Sequence, residues 1–494
     1  MLCRRARRLC AAEIRLALPR RDARDRSEHD RRLTRRVSGG PSSTRTSTGG
    51  IVHDHTTSTT EQEPAHQGRA RRGGRLLGHL RTVGPGLVVA LTWVGAGDLV
   101  ENTVAGGNYG YALLWVIPIS LVFRFFLVST IARYPLFNVH GDTSIIRGIV
   151  RLRPALGYVF GAALLLYCYI NMAFMLSGVG TSLEALTGGA VGRFWGAVLG
   201  AVTIVILVGR GVYSTLETAF KIVLGLLSLA FVVAVAMVGV DWPALASGLV
   251  GFELPPDAGL FSSGLLLLSL VMASVGSLAN LIYPQMMEEK GWTTPRHRRR
   301  QQLDLLFGTV AVAFLGVMMW IVGAEDLHGG PPATTDRQIA GALGGAIGPV
   351  GTYIFYFGLL AATWTTAAGV LFSISKLAVQ SFGTARNARR GDITAPVETR
   401  GTLYRVFVGV GLTALVWSLP WTPGFAALTV ALVTFQAPML VLTVVVLLVV
   451  LNRTSMMGTR RNRWWENVAL AVLLGFTLFA CYHGFTDAVS IIAG

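Results

Sequence analysis

Charge is what this sequence has least of. Only 14% of its 494 residues are Asp, Glu, Lys or Arg, against about 25% in an ordinary soluble domain. Beside that deficit stand 52% hydrophobic residues and 58 glycines, with apolar runs of about 20 residues recurring along the chain. The combination excludes a soluble globular enzyme, a collagen-like chain and a mostly disordered one. Cysteine is also sparse. Cys3 and Cys10 lie near the amino end, and Cys168 and Cys481 lie in apolar runs. With no CxxC pair and no Cys/His cluster, neither structural zinc nor a disulfide framework is expected. No constellation of catalytic side chains stands out, so neither an enzyme nor a cofactor is indicated. What remains is a polytopic membrane protein whose partner is the lipid bilayer.

The formal charge of +17 resembles a nucleic-acid signal until it is divided by region. Nineteen of the 43 Lys and Arg residues precede residue 82. Residues 1–80 are rich in Arg, Ser, Thr, Gly and Asp without apolar periodicity, and read as a disordered basic cytoplasmic tail. They hold no apolar h-region, so a cleavable signal peptide is not expected. An arm that touches nucleic acid or anionic lipid is the weaker reading, and no nucleic-acid partner is expected. A true start near Val52, where the composition becomes more ordinary, is a third reading.

Residues 81–494 form the membrane part. Eleven apolar runs, approximately 84–106, 109–132, 155–179, 194–209, 219–240, 263–287, 303–323, 346–375, 403–419, 424–451 and 464–483, are each long enough to cross a hydrocarbon core of about 30 Å. Alternate loops collect the basic residues: Arg133, Arg147, Arg151 and Arg153; Arg210 and Lys221; Lys290, Arg296 and Arg298 to Arg300; Lys376, Arg386, Arg389, Arg390, Arg400 and Arg405; Arg453, Arg460, Arg461 and Arg463. The opposite loops hold only Arg193 and Arg337. By the positive-inside rule the amino terminus is cytoplasmic and the carboxy terminus outside, in a plasma-membrane protein. Arg124 is left within the second run, where it can snorkel or pair with a carboxylate.

Charged and amide side chains deep in a span are costly and usually functional. The first run contains Gly95-Ala96-Gly97-Asp98 and then Glu101 and Asn102. Two glycines around Ala96 weaken the helix and expose carbonyls, such as those of Val94 and Gly95, beside the Asp98 carboxylate. Carbonyl oxygens and one carboxylate at an unwound point suit a cation. Glu101 and Asn102 share the face of Asp98 if the helix resumes at once. The competing reading is close helix packing at the glycines and an Asp98–Arg124 pair. The sixth run is interrupted likewise, from Gly276 through Ala279, with the isolated amide of Asn280 and then Pro284. The first and sixth runs are equivalent in an arrangement of five plus five, with the eleventh run extra, which is the signature of an inverted repeat with a midplane site. Gln436, before Pro438 in the tenth run, adds an amide oxygen, although a lone buried Gln is more often a helix–helix contact.

These stretches resemble a known family. Gly84-Pro85-Gly86, the Gly95–Asp98 tetrapeptide and Asn108-Tyr109-Gly110-Tyr111 are similar to the first span of the Nramp divalent-metal transporters. Phe435-Gln436-Ala437-Pro438 and the following Asn452-Arg453 and Met457-Gly458 resemble the tenth span and its inner loop. The resemblance covers roughly residues 82–485. It implies a LeuT-type fold and transport of Mn²⁺ or Fe²⁺, generally with protons. The chain departs from the family pattern where it matters most. The family's first-span Asp-Pro-Gly-Asn is Gly95-Ala96-Gly97-Asp98 here, so the carboxylate stands where the family has asparagine. The sixth-span Met-Pro-His falls at about Leu278-Ala279-Asn280, without thioether or imidazole. An all-oxygen site suits a hard ion that keeps several waters, as in the magnesium-transporting relatives of the family.

The expectation is therefore a transporter of divalent cations (the Mn²⁺, Fe²⁺ and Mg²⁺ class) working by alternating access. Asp98 would coordinate directly, helped by the carbonyls near Val94, Gly95, Gly276 and Ala279 and by Asn280 and Gln436. Glu101, Asn102 and Arg124 would act behind them. Proton coupling should be weak or absent, because Ile170 to Phe174 carry no acid and the sixth run no histidine. The oligomeric state is left open. Two other readings use the same scaffold. A metal sensor would want a large soluble domain, and only about ten residues follow the last run. A carrier of organic anions would want cationic groups at the midplane in place of Asp98.

Overall fold

The computed structural model describes residues 96–209, 213–257 and 260–493. The tail and the start of the first span, including Val94 and Gly95, lie outside the described residues. The chain runs through α1 (Ala96–Tyr109), α2 (Val116–Phe137), α3 (Ile145–Leu152), α4 (Pro154–Leu186), α5 (Arg193–Gly209), α6 (Tyr213–Val238) and α7 (Trp242–Val250). It continues through α8 (Ser263–Val275), α9 (Tyr283–Glu289), α10 (Arg298–Asp326), α11 (Asp336–Ile347), α12 (Pro349–Arg389) and α13 (Thr402–Leu412). Last come α14 (Phe425–Thr434), α15 (Ala437–Asn452), the single turn α16 (Thr454–Met457) and α17 (Trp464–Ala493).

Ten of the eleven apolar runs fall mostly on a helix or on a pair joined end to end, and the described part of the first, from Ala96, is helical too. Among the described residues, seven helical segments are long and apolar enough to cross a membrane, and an eighth if α6 and the sharply turned α7 are one bent span. Of the remaining runs, α5, and α13 with its 3₁₀ continuation to Ser418, are shorter, and the first is described only from Ala96. The second span begins at Val116 and not near 109, because Gly110 takes φ +55° in a turn that ends α1. The eighth continues to Arg389, with Leu377, Ala378, Val379 and Ala385 still buried.

Besides the single turn α16, three described helices lie outside these runs: α3, α7 and α11. Ile145, Ile146, Ile149 and Val150 of α3 pack inward. Asp142 anchors its far end by accepting from Arg151 Nε at 2.8 Å and from the Tyr134 hydroxyl at 2.9 Å. Helix α11 opens on a capping box between Thr335 and Gln338, which satisfies donors the first turn would otherwise leave unbonded.

In lipid, apolar side chains gain little by meeting one another, so helices are held by close approach and interhelical hydrogen bonds. The most extensive contact joins α4 and α12, where Ser381 Oγ donates to the Gly157 carbonyl at 2.8 Å. The next joins α1 and α10. There a Cβ on Gly106 would sit 2.3 Å from the Trp320 carbonyl oxygen, and one on Gly323 2.3 Å from that of Thr103. Both positions must be glycine for the backbones to touch. Trp320 Nε1 donates to Gly110 O at 2.8 Å. Helix α1, which begins beside Asp98, is thus fixed along its length.

Candidate functional site

Two interruptions shape the site. Helix α8 ends at Val275, and Gly276 takes φ +70°, ψ 173°, a conformation open essentially to glycine alone. A short 3₁₀ turn, Leu278–Ile282, then leads into α9. Asn280 closes the gap by donating from Nδ2 to the Val275 carbonyl at 3.0 Å. That commits its nitrogen and leaves Oδ1 as the amide atom suited to a cation. The second interruption separates α14 from α15 at Phe435–Gln436, where Pro438 cannot supply a helical N–H. Ser277 Oγ donates to Gln436 Oε1 at 3.2 Å, tying the two interruptions together. The helix–helix role weighed for Gln436 is therefore present, and one lone pair of its oxygen is engaged.

The interruptions and the start of α1 enclose a cavity of about 330 Å³ whose wall includes Gly97, Asp98, Arg124, Gly276, Ala279, Asn280 and Gln436. Five residues expected to hold a cation, Asp98, Gly276, Ala279, Asn280 and Gln436, are thus brought together from segments nearly 340 positions apart in sequence. Asp98, Asn280 and Gln436 are 7%, 4% and 4% exposed, so their oxygens face the cavity and not bulk solvent. Arg124 lines the same cavity, and its Nη1 donates to the Ser274 carbonyl at 3.2 Å.

Glu101 and Asn102 are not on this wall. Glu101 is fully buried, and its Oε1 accepts from Ser269 Oγ of α8 at 2.5 Å. Its Oε2 has no hydrogen-bond partner and lies 3.7 Å from where a Cβ on Gly97 would be. Asn102 faces α10, its Nδ2 3.2 Å from the corresponding point on Gly316. The shared face expected for Asp98, Glu101 and Asn102 is split because α8 and α10 pack on either flank of α1.

Several wall residues were not singled out from the sequence. Asn171 of α4 is one, with Nδ2 donating to Tyr167 O at 2.9 Å; Thr365, Thr366 and Ser373 of α12 are others. The thioethers of Met175 and Met272 also line the cavity, so soft atoms are present although none occupies the Leu278–Asn280 stretch. Among the described residues no group of three or more His, Cys, Asp or Glu side chains converges. A cation here would rely on one carboxylate, amide and carbonyl oxygens, and retained water.

The sequence profile described as natural resistance-associated macrophage protein-like matches residues 86–486, most of the chain and all of the cavity. The chain belongs to the Nramp family. It is 26% identical over 287 residues to the divalent metal cation transporter MntH of Verminephrobacter eiseniae, an alignment covering 55% of this chain and 61% of that one. With MntH of Deinococcus radiodurans it is 24% identical over 302 residues, covering 58% and 66%. The chain thus aligns with somewhat under two thirds of the length of these curated relatives. In structure it is similar to a variant of the Eremococcus coleocola manganese transporter, with a TM-score of 0.64, 16% identity and coverage of 84% and 88%. That likeness shows the fold, the all-helical LeuT-type arrangement that the resemblance implied.

Proposed function

We propose that this Nramp-family protein moves divalent metal cations across a membrane, and that Asp98 is their sole charged ligand. The observation that carries the reading is the convergence of a buried carboxylate, two amides and an opened helix on one cavity. A carboxylate sequestered in a membrane protein is best accounted for by a cation partner. Asn280 Oδ1, Gln436 Oε1 and carbonyls around Gly276 and Ala279, with those of Val94 and Gly95, would complete the shell with water. Spans one to five and six to ten form the two halves of the repeat, with the eleventh added. Alternating access follows from tilting of the first and sixth spans against the α4–α12 frame. The distribution of Arg and Lys supports a cytoplasmic amino terminus in the plasma membrane.

Coupling to protons is weak in this reading. Asp98 is the only carboxylate on the wall among the described residues, and Glu101 is turned away toward Ser269. Full-length protein in liposomes containing a pH-sensitive dye tests both points. Saturable uptake of Mn²⁺, competition by millimolar Mg²⁺ and little acidification are expected. Stoichiometric acidification that Glu101→Gln removes would assign Glu101 a relay. Indifference to a large Mg²⁺ excess would bring Met175 or Met272 into the coordination shell, since thioether sulfur favours softer ions.

Arg124 on the wall favours a second reading, a carrier of small organic anions. The same liposomes decide between them: carboxylate uptake that is independent of metal and survives Asp98→Asn would support it.

A further inference from the structure

A guanidinium within a transmembrane helix is expensive and needs a reason. Arg124 interrupts the apolar stretch from Leu121 to Val128 in α2 and is only 6% exposed. Its Nη1 is tethered to the Ser274 carbonyl, two residues before the Gly276 break. It shares the cavity wall with the Asp98 carboxylate. Asp98 and Arg124 are also the only formally charged residues on the cavity wall among those described. Their formal charges cancel across the wall. A divalent ion would add two positive charges to a cavity that already holds a guanidinium, in surroundings where like charges interact strongly.

Arginine cannot relieve this by losing its proton. Its three-methylene stem instead lets the head group move between partners, and the Ser274 carbonyl beside the α8 break is one such partner. Such an arrangement fits a resident cation that exchanges places with the transported one.

We propose that Arg124 is the internal counter-cation of the Asp98 site: it neutralises the carboxylate while the site is empty, withdraws toward α8 when metal enters, and weakens metal binding enough for release. The inference rests on the transport reading above and adds a residue that sets affinity without being a ligand. Its signature is a gain of binding on removal, which a merely structural residue would not show.

The test is calorimetric titration of Mn²⁺ into purified full-length protein in detergent. Arg124→Gln should bind Mn²⁺ more tightly by about tenfold or more, the scale of losing one nearby like charge in a partly polar cavity. Arg124→Lys, which keeps the charge, should stay within about threefold of the wild type. In Arg124→Ala, millimolar guanidinium chloride should weaken Mn²⁺ binding, whereas in the wild type it should not. Asp98-dependent binding in the wild type that is unchanged or weaker in a folded Arg124→Gln would overturn the counter-cation role alone. Absence of Asp98-dependent binding in the wild type would overturn the transport reading as well. If Arg124→Gln does not fold, a structure of the Mn²⁺-loaded wild type decides. A guanidinium drawn away from Asp98 supports the proposal, and one still paired with Asp98 beside the bound metal overturns it.

Discussion

Gly276 has φ +70° and ψ 173°, and a Cβ there would lie 3.2 Å from Asn280 Nδ2. Gly276→Ala should therefore cost about 1–3 kcal/mol of stability and displace Asn280, lowering metal uptake more than the lost stability alone would. Melting in detergent and uptake in liposomes measure the two effects; unchanged values for both would show that the break tolerates a side chain. At this scale the sequence was readable wherever a residue is costly in lipid. Asp98, Asn280 and Gln436 stand out in apolar runs because a buried polar side chain there needs a partner, and all three reach the cavity. Asn171 sends the same signal but was read only as a missing acid. Met175 and Met272 send none, since a methionine facing a cavity cannot be told in one sequence from one facing lipid. Glu101 was placed beside Asp98 by helical spacing, yet Ser269, more than 160 positions away, determines where its carboxyl points.

Helix α1 meets α10 backbone to backbone at Gly106 and Gly323. Substituting valine at Gly323 places side-chain atoms where the Thr103 carbonyl oxygen stands, 2.3 Å from the Cβ position, and the obstacle is main chain that cannot rotate aside. Gly323→Val should cost at least about 1–3 kcal/mol, the usual penalty of overpacking, and should shift Asp98 through α1. A drop in melting temperature with broadened size-exclusion peaks is expected, and a wild-type melting profile would contradict the packing described. The transmembrane helices were legible because an apolar run of span length has few alternatives. Their limits were less so: α2 starts later than the hydropathy suggests because of the Gly110 turn, and α12 outlasts its apolar run by continuing through a mixed stretch that stays partly buried. Helices α3, α7 and α11 went unread because short amphipathic segments between spans look like loops when only apolar length is counted.

For the molecule as a whole, a polytopic helical protein was readable in the length and order of the apolar runs, and the family in the motifs around Asp98 and Gln436 that resemble the Nramp transporters. The ion did not follow, because selectivity depends on distances, retained water and wall atoms contributed by several helices. The tail separates cleanly in composition. Residues 1–67 are too polar and too rich in Arg, Ser and Thr to bury a core, so a chain beginning at Gly68 should insert and transport at the full-length rate. Loss of transport by correctly inserted truncated protein would give the tail a role.

If the single buried carboxylate of the cavity binds the transported metal, Asp98→Asn should abolish uptake. The substitution keeps the shape of the side chain and removes its charge. Purified wild-type and Asp98→Asn proteins of matched melting temperature, reconstituted at equal density, are compared for initial Mn²⁺ uptake. The account predicts saturable uptake by the wild type and a fall in Asp98→Asn to the rate of protein-free liposomes. Saturable uptake by Asp98→Asn at the wild-type rate would contradict it.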